Sequence, residues 1–410
     1  MISKLDYNAL YKWWYLPFLI YVIPNFLMSL FVLTFNLLLI DGYPVQLVAS
    51  SFTILFASFL ITVVYYYIKF ISQYFNKKAF DYQYKLPSKY IGKIIFGLQS
   101  LDLLTLLVFD FGRVGGVSSS SNLLAVIVSY LPSDILFLLY YGHFRKKGVP
   151  YFNLGLYLLI NVLKGWTGIW LILFFIEVYF QLTKTPFKKI VKTVLISFVI
   201  IFALYPTINK YKFLIRGGED YQQRSILESA GELAVRLQHA TNVILIAQES
   251  DDLKRALNDN SIIPYYYDNR IGNYLISSNS MNLQKYLTVN YLLDKEKYGA
   301  QTDLDELGWY ANVGIVGWFF VLSPLQIIIY IFFITLLITL PFVLNHYFLK
   351  AEGLIPVIQT LTFSYVFHGW FIVQIGFISG IVLYIVLYNI FNKKTSYNLN
   401  TTEEKCVEFT

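Results

Sequence analysis

Ten stretches of this chain run apolar for close to the length that crosses a bilayer, and that pattern leaves few architectures open. Roughly 20 apolar residues are needed to cover about 30 Å of hydrocarbon. The stretches fall at about 13–40, 44–71, 94–112, 122–142, 150–163, 166–183, 193–215, 309–340, 353–371 and 374–391. Inside hydrocarbon every backbone N–H and C=O must be bonded within the protein, so helices are expected throughout. The fifth stretch is short and the eighth long, which points to a tilt or a break in each. The first is too long for a signal peptide and lacks a small-residue cleavage site, so it reads as an uncleaved signal-anchor.

Composition agrees. The 410 residues are 57% hydrophobic and 14% charged, with a mean hydropathy of +0.55, whereas soluble chains carry about 25% charged residues. The single Cys406 excludes a disulfide framework and a thiolate metal site. His143, His239, His346 and His368 fall in no metal-ligand spacing.

Orientation follows from Lys and Arg in the short loops. Segment 72–93 holds Lys77, Lys78, Lys85, Lys89 and Lys93, segment 143–149 reads HFRKKG, and 184–192 reads KTPFKKIVK. The alternate loops, DGY at 41–43 and RVGGVSSSSN at 113–122, hold one basic residue between them. Both termini are therefore expected in the cytoplasm, with a large loop outside. The domains expected are transmembrane helices one to seven over 1–215, an extracytoplasmic domain over 216–308, helices eight to ten over 309–392, and a polar cytoplasmic tail over 393–410. Residues 216–307 carry nine Lys and Arg against fourteen Asp and Glu, a net of −5, which leaves +12 on the rest of a chain whose total is +7. The basic balance is thus a topology signal, and nucleic acid is not expected as a partner.

Asp102, Asp134 and Glu177 lie within apolar stretches, each seven to nine residues in from an expected cytoplasmic end. At 1.5 Å per residue all three sit at one level, roughly 10–14 Å deep. No Lys or Arg is expected at that depth. Two readings are open: a proton or cation site as in a coupled transporter, or hydrogen bonding to Tyr, Asn and Ser of neighbouring helices. On the outer side Arg113, Lys164, Lys210, Lys212 and Arg216 run against the orientation rule. Lys164 opens KGWTG, whose glycines would let backbone N–H groups approach an anion. These cations suit an anionic ligand at the membrane boundary, or snorkelling to lipid phosphate.

The outer segment carries three more features. Arg224, Glu228, Glu232 and Arg236 recur every fourth residue, so the spacing predicts an amphipathic helix over 224–240, with His239 three beyond Arg236. That face is either solvated surface or a guanidinium beside an imidazole poised as a general base. IPYYYDNRIGNYLISSNSMN (263–282) mixes rings such as Tyr266 with Asp268, Asn269 and Arg270. Rings that pack on pyranose faces, beside planar polar groups, suit sugar; an aromatic interfacial belt is the other explanation. TDLDELGWYANVGIVGWFF (302–320) places Asp303, Asp305 and Glu306 before the eighth stretch, as cation ligands or as a helix N-terminus. Its Gly314 and Gly317 permit close helix packing.

The pattern resembles the Wzy-type oligosaccharide repeat-unit polymerases that build O-antigen, capsule or related polysaccharide. The resemblance covers most of the chain through architecture: ten or more spans, cytoplasmic ends and one dominant late outer loop. LKGWTGIWLILFF (163–175) is similar to the family's basic-Gly turn, where Arg is more usual than Lys164. DLDELGWYANVGIVGWFF is similar to the acidic residue and G-x-x-G after the large loop, and 224–240 to the loop arginines and histidine. The fold implied is all-α, polytopic, with about ten transmembrane helices and one large helical extracytoplasmic loop, a GT-C-like architecture. The activity implied is inverting, metal-independent transfer of a growing glycan from undecaprenyl pyrophosphate to a new lipid-linked repeat unit, without cofactor. His239, Arg236 and Asp305 would be catalytic; Arg113, Lys164, Arg216, Arg224, Arg270 and Tyr266 would bind pyrophosphate or sugar. The implied location is the bacterial inner membrane, with the loop periplasmic, and a chain-length regulator is a further implied partner. The alternatives are a polyprenyl-phosphate-sugar glycosyltransferase and a lipid-linked oligosaccharide flippase. The first usually keeps its acids in the first outer loop, which here holds a lone Asp41; the second predicts internal repeats, and none is evident in the sequence.

Overall fold

The computed structural model describes residues 7–40, 43–78, 86–109, 131–166, 168–215, 238–266, 280–292 and 313–407. It is mostly helical, at 81%. Among the described residues five helices are long and apolar enough to cross a membrane: Asn8–Phe35 (α1), the apolar part of Ser51–Lys78 (α2), Lys89–Phe109 (α3), the segment built on Pro324–Leu344 (α12), and the first part of Phe371–Val407 (α14). They match the first, second, third, eighth and tenth apolar stretches. The remaining stretches correspond to Ser133–Phe144 (α4), Tyr151–Leu163 (α5), Gly168–Leu182 (α6), Phe187–Ile215 (α7) and Ile355–Phe367 (α13). From the outer segment come Ala240–Gln248 (α8), Ser250–Asn258 (α9) and Leu283–Leu287 (α10), and just before α12 a single turn, Trp318–Val321 (α11).

Two boundaries differ from expectation. The first two stretches do not run on to residue 40 and from residue 44 as helix. Leu37–Ile40 (β1) and Tyr43–Gln46 (β2) pair antiparallel, Leu38 opposite Val45, with Asp41 and Gly42 between them. Asp-Gly between apolar runs is a strong hairpin signal, and left-handed Asn36 closes α1 just before it. The eighth stretch breaks at Leu322 and Ser323, where Ser323 and Gln326 form a capping box that restarts the helix as α12.

The core is built around α13, whose thirteen residues are all buried. It is enclosed by α2, α4, α6, α12 and α14. A helix apolar on one stripe would expose the rest to lipid; α13 instead carries Gln359, Thr360, Thr362 and Ser364 inside protein, and Gln359 accepts from the Asn76 amide at 2.8 Å. Trp13 and Trp14 of α1, Tyr65 of α2 and Phe363 of α13 meet edge to face with ring centres 5.6–6.4 Å apart. The Trp13 indole donates to the Phe175 carbonyl at 2.9 Å and ties α1 to α6.

At the end of the bundle rich in Lys and Arg, Gly142 and Gly353 bring two backbones into direct contact. Beside them the Lys146 ammonium lies 2.6 Å from the Glu352 carboxylate, which is almost fully buried. Truncating one partner of such a pair leaves a buried charge and costs about 3–5 kcal/mol. Lys146→Ala should therefore lower the melting temperature of the purified protein far more than Lys147→Ala on the exposed neighbour. Adding Glu352→Gln to Lys146→Ala should recover much of the loss; equal shifts for the two lysine variants would contradict the buried pair.

Candidate functional site

His239 is not part of a helix continuing from 224. Residues 238 and 239 are non-helical, and α8 starts at Ala240. The reason is the change in surface: 224–240 is patterned for water on one face, whereas ATNVIL and the following Ile are buried on all sides. Gln238 caps the new helix, accepting from the Thr241 N–H at 3.0 Å and donating to its hydroxyl at 2.8 Å. α8 is inserted between α1, α2 and β1, so this part of the outer segment belongs to the bundle. Its far end is pinned by Gln248, which accepts from the backbone N–H of Val48 and Ala49.

That insertion carries His239 to the middle of α1. Its backbone N–H donates to the Asn25 side-chain oxygen at 2.7 Å, and the Asn25 amide donates to the Tyr21 carbonyl at 2.6 Å. The His239 ring lies edge-on to His368 with centres 4.7 Å apart, and His368 stacks on Trp370 at 4.8 Å and meets Tyr21 at 5.2 Å. His239 is 2% exposed and His368 7%. The segment Val313–Gly317 closes the third side: the Ile315 N–H donates to the Phe367 carbonyl at 3.3 Å and Tyr330 donates to the Ile315 carbonyl at 2.8 Å. Gly314 sits against the His239 ring in the left-handed region, and Gly369, also left-handed, abuts the Gly314 backbone. Gly317 does permit close packing, but of the 313–317 turn on Ile246 of α8. Two imidazoles in ring contact, each able to give and take a proton when neutral, form a compact proton-handling pair.

Lys164 lies elsewhere and is engaged with carboxylates. Its ammonium is 2.8 Å from Asp102 and 3.6 Å from Asp134. This corrects the expectation that no cation shares the depth of those acids. α5 has 13 residues, so Lys164 rises only about 20 Å from its start, and Asp102 lies equally far along α3. Glu177 is not part of this group: Arg145, folding back from the end of α4, holds it through two bonds of 2.7 Å, with Tyr141 donating as well. The KGW turn is a helix cap, not an anion cradle. The Gly165 N–H donates to Val162 and the Trp166 N–H to Asn161, with Gly165 left-handed.

A groove of about 420 Å³ lies between α9 and the α10 segment, with Asp252, Arg255, Asp259, Tyr286, Asn290 and Tyr291 around it. Burial, aided by the Glu249 and Asp252 carboxylates, pushes the Tyr291 phenol up to about 12, so it remains a donor at neutral pH. Two rings, two acids, an amide and a guanidinium are the chemistry expected of sugar recognition. Of the 263–282 stretch, where the sequence pointed to sugar, residues 267–279 lie outside the described residues. There, Tyr265 is buried against Trp318, Tyr330 and Phe333, while Tyr266 is half exposed.

Arg113, Arg216, Arg224, Arg236, Arg270 and Asp305 lie outside the described residues, although 237 and 312 run directly into Gln238 and Val313 beside the imidazole pair. Among the described residues no three His, Cys, Asp or Glu side chains converge, and two imidazoles fall short of the three protein ligands of catalytic zinc. No protein-family model, curated protein or solved structure matches the chain. Sequence reasoning missed His368 and Asn25. A usable signal existed: His368-Gly369-Trp370 ends α13 as Lys164-Gly165-Trp166 ends α5, with the same two capping bonds.

Gly369 gives a test of this geometry. A Cβ there would lie 2.9 Å from the Gly314 carbonyl carbon, on a backbone that L residues avoid at about 1–2 kcal/mol. Gly369→Ala should lower thermal stability clearly, whereas Gly376→Ala, in open space on α14, should leave it unchanged. Equal stability of the two variants would mean that the 313–317 turn does not rest on Gly369.

Proposed function

We propose that this membrane protein polymerises lipid-linked oligosaccharide repeat units. The observation that carries the reading is His239, delivered by the outer segment into the bundle beside His368, with a sugar-type groove on the helix that follows. An apolar bundle suits polyprenyl tails, and α9 begins directly after α8, so one wall of the groove and the His239 imidazole are carried by consecutive helices.

In this reading the His239 imidazole takes the proton of the acceptor sugar hydroxyl as its oxygen bonds to the donor's anomeric carbon. The bond from that carbon to the pyrophosphate oxygen breaks, its electron pair leaves on undecaprenyl pyrophosphate, and the configuration inverts. His368 passes the proton on. Arg216, Arg224, Arg236 and Arg270, with Arg113, neutralise the leaving group as charge builds on it. Lys164, held by two carboxylates, is left out of that clamp, and Asp305 is the second choice for the base. The site then faces the periplasm of a bacterial inner membrane, with both termini cytoplasmic and a chain-length regulator as partner. A flippase for the same lipid-linked sugars is the second reading, favoured by the buried Asp102–Lys164–Asp134 group.

Glycan length separates the two. Cells lacking a polymerase should display single repeat units on the acceptor, and cells lacking a flippase should display none. His239→Ala should cut chain extension by about 10²–10⁴-fold at unchanged protein abundance, and Arg236→Ala should also shorten chains. Long chains in His239→Ala at normal abundance would remove His239 as the base.

A further inference from the structure

We propose that Asp134 is the centre of a binding site for one monovalent cation inside the bundle, either a proton on its carboxylate or an alkali ion on its oxygens. The proposal stands apart from the polymerase reading and uses none of its residues.

The two carboxylates near Lys164 are served unequally. Asp102 Oδ2 accepts from the Ser133 hydroxyl at 2.8 Å and from Lys164 at 2.8 Å. Asp134 has only longer contacts, the Asn161 amide at 3.3 Å and Lys164 at 3.6 Å. Among the described residues one ammonium faces two carboxylates, so the group carries a net charge of −1, with Lys164 and Asp102 mostly buried and Asp134 about a quarter exposed. The other elements packed here add, among the described residues, neutral groups: Tyr157 and Asn161 from α5, Tyr365 from α13 within electrostatic reach of Asp134, and Gly380 of α14 against Ile135.

Two further atoms point to a missing occupant. Asn161 Oδ1 and Tyr157 Oη are buried without a hydrogen-bond partner, in residues that are 0% exposed. One added positive charge relieves the charge excess. A proton on Asp134 leaves the group neutral, and the Asn161 amide keeps its 2.9 Å bond to the Tyr157 carbonyl. An alkali ion instead takes Asp134, Asn161 Oδ1 and Tyr157 Oη as hard oxygen ligands. A divalent ion would overshoot the charge. The arrangement therefore selects for a single charge, and occupancy would hand Lys164 wholly to Asp102.

The test uses the full chain in lipid nanodiscs. In sodium-free choline buffer, infrared difference spectra between alkaline and mildly acidic conditions should show one protonated-carboxyl band. That band should be lost in Asp134→Asn and kept in Asp251→Asn, whose carboxylate is a solvated surface group. If the occupant is an alkali ion, no such band forms, and replacing choline with sodium raises the melting temperature of the wild type but not of Asp134→Asn. Should Asp134→Asn fail to fold, Asp134→Glu must retain the response with a displaced midpoint, and Tyr157→Phe must weaken it. A wild-type protein with neither a titrating carboxyl band nor a sodium response overturns the proposal, as does an unchanged response in Asp134→Asn.

Discussion

Helices too short for the bilayer set the terms for the rest of this fold. α4, α5 and α13 have 12, 13 and 13 residues and so rise about 18–20 Å against roughly 30 Å of hydrocarbon. Where such a helix ends away from water, its last carbonyls must be bonded inside the protein. The chain meets this by burying α13 on every side and by closing α5 and α13 with one device. In each, a polar residue ends the helix, a left-handed glycine follows, and the tryptophan N–H returns to the carbonyl five residues earlier, Trp166 to Asn161 and Trp370 to Tyr365. Closing a helix at depth brings Lys164 and His368 with it, and both require company that lipid cannot supply. Asp102 and Asp134 serve the first, and His239 with Tyr21 and Trp370 the second.

The outer segment is drawn inward for the same reason. A helix end at His368 needs a cover, and α8 together with the 313–317 turn supplies it. That explains why seven successive residues of α8 are buried within a stretch expected to be a separate water-facing domain. It also explains the glycines. A Cβ at Gly369 would lie 2.9 Å from the Gly314 backbone, one at Gly314 would press on the His239 ring at 3.3 Å, and both backbones are left-handed.

Hydropathy and charge made the long spans legible, because hydrocarbon thickness fixes a length that apolar residues must fill. Asp41-Gly42 marked a hairpin that was passed over, since residues 37–46 are as apolar as the helices they join. The pairings were not legible. Whether Lys164 meets lipid phosphate or two carboxylates depends on where α5 ends relative to α3, a height difference that sequence separation does not encode. His239 was visible as a chemical candidate, but its neighbours were sought at helical spacing on its own segment. Among the described residues its neighbours include Asn25 and His368, 214 and 129 positions away, brought there by tertiary packing. Of the rings in and after the 263–282 stretch, Tyr265 serves the core while Tyr286 and Tyr291 line the groove, a division that composition does not encode.

The two polar clusters share the last turn of α13. Tyr365 lies within reach of the Asp134 charge, and its carbonyl accepts the Trp370 N–H that completes the cap. Its ring packs on Trp370, which in turn stacks on His368. A charge gained or lost at Asp134 therefore acts on the residue that anchors the turn holding the imidazole pair. The path is three side chains long and rigid, since Tyr365, Trp370 and His368 are fixed by ring contacts and by backbone bonds at once. The two clusters are thus built on one helix end, and the bonds that fix that end position both.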